Sequence, residues 1–408
     1  MRGLYTLAIR TYTTGVKVAA LWGNAKAKQW VEGRKHWPEA GTDDAPWVWF
    51  HAASLGEFEQ GRPLIEALKK QYPDLKVSLT FFSPSGYEIR KNYPLADEVL
   101  YLPADTMKNA RQWVKRHRFV AAFFIKYEFW FNYMKALQEA QVPLYYISLI
   151  LKPKQYFFRW YGGWFRKQLK AVSHFFVQDD TSLALLHGIG LDNATLCGDT
   201  RFDRVADIAK QAKRFPEIEA FIAGRNCIIA GSSWPPDERL LIPYLEQLPE
   251  NYCMIIAPHD ISEKHLQQIT GRQLGRYQLY TDLHPERRDP VLVLNTIGIL
   301  SQLYQYARFV YIGGGFGVNI HNIQEPVTFG CPVVFGPKHK SFKEAVDLIR
   351  LGGAFSINGQ DGLDRAFDRL IHDEAFYRQA SETCNDYLKS QLGATEAILK
   401  KITSTFSF

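Results

Sequence analysis

From residue 47 onward, short apolar runs alternate with stretches whose apolar residues recur every three or four positions. The runs Val48–Phe50, Val77–Phe82, Val99–Leu102, Val120–Ile125, Leu144–Ser148, Phe175–Val177 and Thr195–Cys197 read as strands buried on both faces. Intervening segments such as Asn109–Lys115 and Phe131–Ala140 carry a helical pattern. This alternation predicts a parallel sheet flanked by helices. A charged helical stretch, Asp203–Glu219, interrupts it and contains Pro216. The alternation restarts with Ile228–Ala230, Tyr252–Ala257, Val291–Leu294, Phe309–Ile312 and Val333–Phe335. The expectation is an α/β protein with two doubly wound, Rossmann-like domains, 41–205 and 223–372, joined by a linker at 206–222. A cleft between the two halves is expected. A largely helical tail, 373–408, follows and is broken near Gly393.

The first 31 residues follow a different rhythm. Tyr5, Ala8, Ile9, Tyr12, Val16 and Ala19 share one helical face, and Arg10 and Lys17 break the apolar run. No stretch of 18 apolar residues forms, so a spanning helix is not expected. Charges inside the run and the lack of a cleavage site argue against a secretory signal. Lys17, Lys26, Lys28, Arg34 and Lys35 face only Glu32 and Glu39 up to position 40. The pattern fits a helix lying on an anionic leaflet; the alternative is an amphipathic helix docked on the protein.

Composition narrows the class. A chain of 408 residues with 46% hydrophobic and 14% aromatic residues buries a core and is not a disordered protein. The formal net charge of +7 suits an acidic partner: a nucleotide, a phosphorylated lipid or an anionic membrane. No nucleic-acid recognition motif accompanies that charge. The cysteines Cys197, Cys227, Cys253, Cys331 and Cys384 are scattered, with neither zinc spacing nor a disulfide framework, as in a reducing compartment.

The most informative segment is Trp47–Glu59. An apolar strand breaks at the small residues Ala52-Ala53-Ser54-Leu55-Gly56 and delivers Glu57 at a helix start. In open α/β sheets that corner binds ligands, and helix-start amides attract anions. Glu57 is therefore either a catalytic base or an acid that stabilises the helix dipole. His51-Ala-Ala-Ser-Leu-Gly-Glu57 resembles the H-x-x-S-x-G-E signature of the 3-deoxy-D-manno-octulosonic acid (Kdo) transferases. Further resemblances follow in order. Glu128-Phe-Trp-Phe-Asn132 is similar to the family's E-[LI]-W-P-N, with Phe131 in place of proline. Gly198-Asp-Thr-Arg-Phe-Asp203 is similar to G-N-x-K-F-D, with Arg201 for lysine. Gly231-Ser232-Ser233-Trp234 resembles G-S-T-W, and Ala257-Pro258-His259 resembles the A-P-R-H region. Gly313-Gly314-Gly315-Phe316, followed by His321-Asn322-Ile-Gln-Glu325-Pro326, resembles the family's glycine-rich H-N-x-x-E-P loop. Asn319 and Ile320 stand where the family has two glycines.

What the resemblance implies is a GT-B glycosyltransferase that moves Kdo from CMP-Kdo to the lipid A precursor in lipopolysaccharide synthesis. It would work by inversion, at the cytoplasmic face of the bacterial inner membrane and anchored there by residues 1–40. Glu57, or in reserve Glu128, serves as base. Ser54, Arg201, Ser232, Ser233, His259, Gly313, Gly314, Gly315, Asn322 and Glu325 bind the donor. The last helix returns to the N-terminal domain. No metal is expected, since no D-x-D motif is placed at a strand end and a CMP-sugar carries one phosphate. The stretch Lys152–Lys170 has six cations, no acids and seven aromatics. Lys154, Arg159, Trp160, Trp164, Arg166 and Lys167 are assigned to acceptor or membrane contact. Two other classes stay open: a UDP-N-acetylglucosamine 2-epimerase-type enzyme on the same fold, and a non-catalytic lipid A-binding protein.

Overall fold

The computed structural model describes residues 1–35, 44–271, 276–284 and 286–406. The expected boundary at 40/41 and Glu39 lie outside the described residues. The chain divides into two compact units, residues 1–203 with 392–408, and residues 204–391.

Unit 1 is built on seven described strands: β1 (Trp47–Ala52), β2 (Lys76–Phe81), β3 (Glu98–Tyr101), β4 (Phe119–Ile125), β5 (Leu144–Leu149), β6 (His174–Val177) and β7 (Ala194–Leu196). They lie in the order β3-β2-β1-β4-β5-β6-β7, all parallel. The sequence of β4, FVAAFFI, shows why such a strand is continuously apolar. Ala122 and Phe124 enter one core layer with Trp49 and Tyr146, while Ala121, Phe123 and Ile125 enter the other with Phe50 and Ile147. The helix Ala394–Ile402 adds Ile398 and Ile402 to that second layer. Burying each contributes roughly 1.5–3 kcal/mol. The preceding helix, Glu374–Gln391, belongs instead to unit 2. Thus the tail is divided between the units and does not return as one piece.

Unit 2 carries β8 (Asn226–Ser233), β9 (Tyr252–Pro258), β10 (Tyr277–Leu279), β11 (Val291–Val293), β12 (Ala307–Ile312), β13 (Val333–Phe335) and β14 (Ala354–Ser356). Their order is β10-β11-β9-β8-β12-β13-β14, again parallel. The edge strands β10 and β14, Tyr-Gln-Leu and Ala-Phe-Ser, each carry a polar residue among three, so no apolar run announces them. The expected linker is not one. Pro216–Ile222 is a helix that buries Ile218, Phe221 and Ile222. In both sheets the winding reverses beside the first strand, between β1 and β4 and between β8 and β12, where doubly wound folds open a ligand crevice.

At the N-terminus α1 (Arg2–Leu21) and α2 (Ala25–Glu32) pack together. The face of α1 expected to meet lipid is the one that docks. Tyr5 donates to Asp105 (2.6 Å) and Arg2 to the Phe131 carbonyl (2.9 Å), while Ile9, Val16 and Ala19 are half-buried. The opposite face leaves Leu4, Leu7, Val18 and Leu21 exposed, with Trp22 next to it. Among the described residues no helix is long and apolar enough to cross a membrane.

Candidate active site

In unit 1 the two winding-reversal strands each deliver a carboxylate. β1 ends at Ala52, and α3 (Leu55–Gln71) begins after Ser54. Glu57 is the third residue of that helix. Its carboxylate accepts from the Ser54 backbone N–H (2.8 Å) and hydroxyl (2.9 Å). Glu57 thus caps its helix, and it does so at the winding reversal of the sheet. Burial pushes its carboxyl up from the ordinary value, and the Glu128 charge adds to this against the opposing Ser54 hydrogen bonds. An acid so poised is a stronger base than an exposed glutamate. The Ser54 hydroxyl is engaged with Glu57 rather than turned to a donor.

Glu128 follows β4 and is 8% exposed. Trp130 Nε1 donates to its Oε2 at 2.7 Å, and His51 Nε2 lies 3.0 Å from the same oxygen. Both ring nitrogens of His51 have polar neighbours. Trp49 Nε1 donates to the Thr80 hydroxyl oxygen (2.7 Å), and that hydroxyl lies 2.9 Å from His51 Nδ1. Nδ1 also lies 3.2 Å from the Thr80 carbonyl oxygen, and Trp130 Nε1 lies 2.9 Å from Nε2. A relay of polar contacts, Trp49–Thr80–His51, thus ends on Glu128 and Trp130.

Around these acids the sheet edge is cationic. Lys126 takes a left-handed backbone at the end of β4 (φ 57°). With its amide oriented to satisfy both neighbours, Gln60 accepts from Lys126 Nζ (2.9 Å) and Arg201 Nε (3.2 Å). Arg201 also forks onto Asp199, with N–O distances of 3.0 and 2.6 Å to Oδ2. The local ion pair at this junction is formed, so an anion at Arg201 has to share the guanidinium with Asp199.

Unit 2 presents a backbone cradle. The loop after β12 has glycine where no side chain fits: a Cβ on Gly313 would lie 2.2 Å from the Ser232 carbonyl oxygen, and one on Gly315 2.6 Å from the Gly336 nitrogen. Gly314 has φ +90°, which glycine adopts without strain. Ser232 at the end of β8 is itself left-handed (φ 53°). The loop is fastened by Asp237, whose carboxylate accepts from the Gly314 N–H (2.9 Å), the Trp234 N–H (2.9 Å) and the Tyr311 hydroxyl (2.8 Å). Beside it Trp234, His259 and His321 stack, with ring centroids 4.5 Å apart for Trp234–His259 and 4.6 Å for His259–His321. Trp234, Pro236, Gly314, Val318, Asn319 and His321 line a pocket of about 330 Å³. Burial and the neighbouring His259 hold His321 below the ordinary imidazole range, so it is neutral near pH 7. Asn322 donates to Glu325 (3.2 Å) at the next helix start. Ser233 is buried and donates to Glu238 (3.1 Å), so its hydroxyl faces inward.

A family model described as 3-deoxy-D-manno-octulosonic-acid transferase (kdotransferase) matches residues 28–204. The 3-deoxy-D-manno-octulosonic acid transferase of Rickettsia felis is 24% identical, over 78% of this chain and 70% of its own length. That of Chlamydophila psittaci is 24% identical over 76% and 73%, and that of Aquifex aeolicus 23% over 79% and 86%. The chain is similar to the Kdo transferases over these spans. As a fold it resembles the UDP-GlcNAc 2-epimerase from Neisseria meningitidis bound to UDP-GlcNAc (TM-score 0.60, 15% identity, 88% of this chain and 99% of that one). It also resembles the UDP-GlcNAc 2-epimerase from Methanocaldococcus jannaschii (TM-score 0.52, 12% identity, 85% and 99%). The fold is of the GT-B type.

Of the residues the sequence singles out, Glu57, Glu128 and Arg201 share the strand ends of unit 1. Ser232, His259, Gly313–Gly315, Asn322 and Glu325 share those of unit 2. Lys154, Arg159, Trp160 and Lys167 are exposed, Trp160 by 92%. Trp164 and Arg166 are structural. Trp164 packs on Phe131 (5.3 Å) and Tyr5 (6.1 Å), and Arg166 ties the Phe157 and Arg159 carbonyls (2.9 and 3.0 Å). Sequence reasoning misses Lys126, Asp237 and the His51 relay. For Asp237 a signal exists: Trp-Pro-Pro-Asp places an acid at the third position of a proline-opened helix.

Proposed function

We propose that this protein transfers Kdo from CMP-Kdo to a hydroxyl of the lipid A precursor with inversion at the anomeric carbon, Glu57 acting as general base. The acceptor oxygen forms the new bond to the anomeric carbon as its proton passes to the Glu57 carboxylate. The bond from that carbon to the phosphate oxygen breaks, and CMP leaves with the electron pair. The observation that carries the reading is Glu57 itself, a half-buried carboxylate at the winding reversal of its sheet with its proton affinity raised. The donor phosphate is assigned to the amides of the Gly313–Gly315 loop and Ser232. The ribose hydroxyls are assigned to Glu325, a carboxylate acceptor at a helix start.

Attachment to the anionic cytoplasmic leaflet is part of the same reading. The second face of α1 and the exposed Trp160 supply apolar contact; Lys152, Lys154, Arg159, Lys167 and Lys170 supply charge. The fold neighbours act on a different sugar nucleotide, so one assay separates the alternatives. Incubation with CMP-Kdo and lipid A precursor should release CMP in step with lipid glycosylation, and UDP-N-acetylglucosamine should stay unchanged. Epimerised UDP-sugar, or lipid binding with no CMP release, would overturn the proposal.

A further inference from the structure

The α1–α2 hairpin reaches the candidate site through aromatic rings. Phe82, just past β2, lies against Tyr12 of α1 (6.2 Å, 28° between planes) and Trp30 of α2 (5.9 Å, 68°). Arg34 closes this cluster. Its guanidinium sits 3.8 Å from the Trp30 ring centroid and 5.3 Å from that of Phe82, and donates to the carbonyls of Phe82 (2.7 Å) and Leu102 (2.8 Å). Among the described residues no carboxylate accepts from it, and it serves as a cationic staple between α2 and the ends of β2 and β3. On its other side Phe82 stacks on Trp130 (5.0 Å, 27°). Trp130 in turn donates to Glu128. The helix that begins after Trp130 is no independent anchor for this ring, since the Trp130 side chain does not cap it.

We propose that Trp130 is a positioning residue that fixes the Glu128 carboxylate, and that Phe82 is the wedge through which the α1–α2 hairpin holds Trp130 in place. The inference rests on the transferase reading above for its functional meaning, but its geometry is independent of it. An indole held on one face by Phe82 has its N–H shared between one oxygen of Glu128 (2.7 Å) and His51 Nε2 (2.9 Å), and Nε2 lies 3.0 Å from that oxygen. The carboxylate so held is a fixed charge beside Glu57. The other titratable or charged groups about this pair are Lys126 and Tyr127 from the same loop, and Tyr146 from β5, whose hydroxyl donates to the Glu128 carbonyl (2.8 Å).

Trp130→Phe keeps a ring on Phe82 and removes only the donor. It should lower kcat about tenfold with KM for CMP-Kdo little changed. Phe82→Leu should reproduce both effects, and Phe82→Tyr should restore near-normal values. A rise in KM that matches the fall in kcat, a lowered Tm, or no loss at all, would overturn the proposal. The indole N–H resonance of Trp130 gives a readout free of activity. It should move upfield in Glu128→Gln, and an unmoved signal would sink the clamp even if the wild type transfers no Kdo. Absence of CMP-Kdo-dependent transfer by the wild type, with the resonance shift present, would instead remove the functional reading alone.

Discussion

Asp237 shows how a single residue can matter through what it holds rather than what it touches. Its carboxylate takes three donors, two of them backbone N–H groups at the glycine loop and the adjacent helix start. Burial raises its proton affinity against those hydrogen bonds, so the anion is held at a cost that the three donors offset. Asp237→Ala should destabilise unit 2 by about 3 kcal/mol, because the donors lose their acceptor. It should also weaken CMP binding; urea unfolding and calorimetric titration check both. Unchanged stability would mean that another acceptor replaces the carboxylate. At this scale the sequence is only partly legible. Glu57 stands out because strand, turn and acid follow one another within ten positions. The Trp49–Thr80–His51–Glu128 relay does not, since its members meet only through the register of β1 with β2 and β4.

Among the elements, continuous apolar runs announce themselves, even one as short as β13, and the edges β10 and β14, with a polar residue among three, do not. A short edge strand pairs on one side only and has no periodicity to read. The helix α1 fails in a more instructive way. Both of its sides carry apolar residues, so amphipathicity alone does not say which side docks. Tyr5 decides it, because its hydroxyl finds the buried Asp105. The face left over predicts membrane behaviour of its own. Flotation with anionic liposomes should recover the protein, and recovery should fall with added salt or neutral lipid. Leu7→Ser with Trp160→Ala should weaken it further while leaving the fold intact, since both side chains are exposed. Undiminished flotation in the double variant would place the contact elsewhere on the surface.

For the molecule as a whole, the alternation of strand and helix made two α/β sheets legible, and family-like segments in order pointed to sugar transfer. The division of the last two helices between the units was not legible, because both read as amphipathic helices and only packing distinguishes them. One global expectation concerns metal. Among the described residues no group of three His, Cys, Asp or Glu side chains is placed to hold an ion. CMP is also a modest leaving group in charge, with a single phosphate. Transfer from ready-made CMP-Kdo should therefore proceed undiminished in EDTA. A rate that collapses and returns with magnesium would refute this.

The central claim is that Glu57 takes the acceptor proton. Its raised proton affinity fixes the sign of the pH dependence: the base is lost as pH falls through a value above that of an ordinary glutamate, so activity declines on the acid side. Glu57→Gln keeps the shape and a hydrogen-bonding group at the Ser54 cap but removes the basicity. Single-turnover transfer from CMP-Kdo to lipid A precursor is the most direct measurement. The rate in Glu57→Gln should fall by roughly 10²–10⁴-fold with CMP-Kdo affinity nearly intact. Turnover near the wild-type rate in that variant would contradict the account and move the base to Glu128 or to solvent.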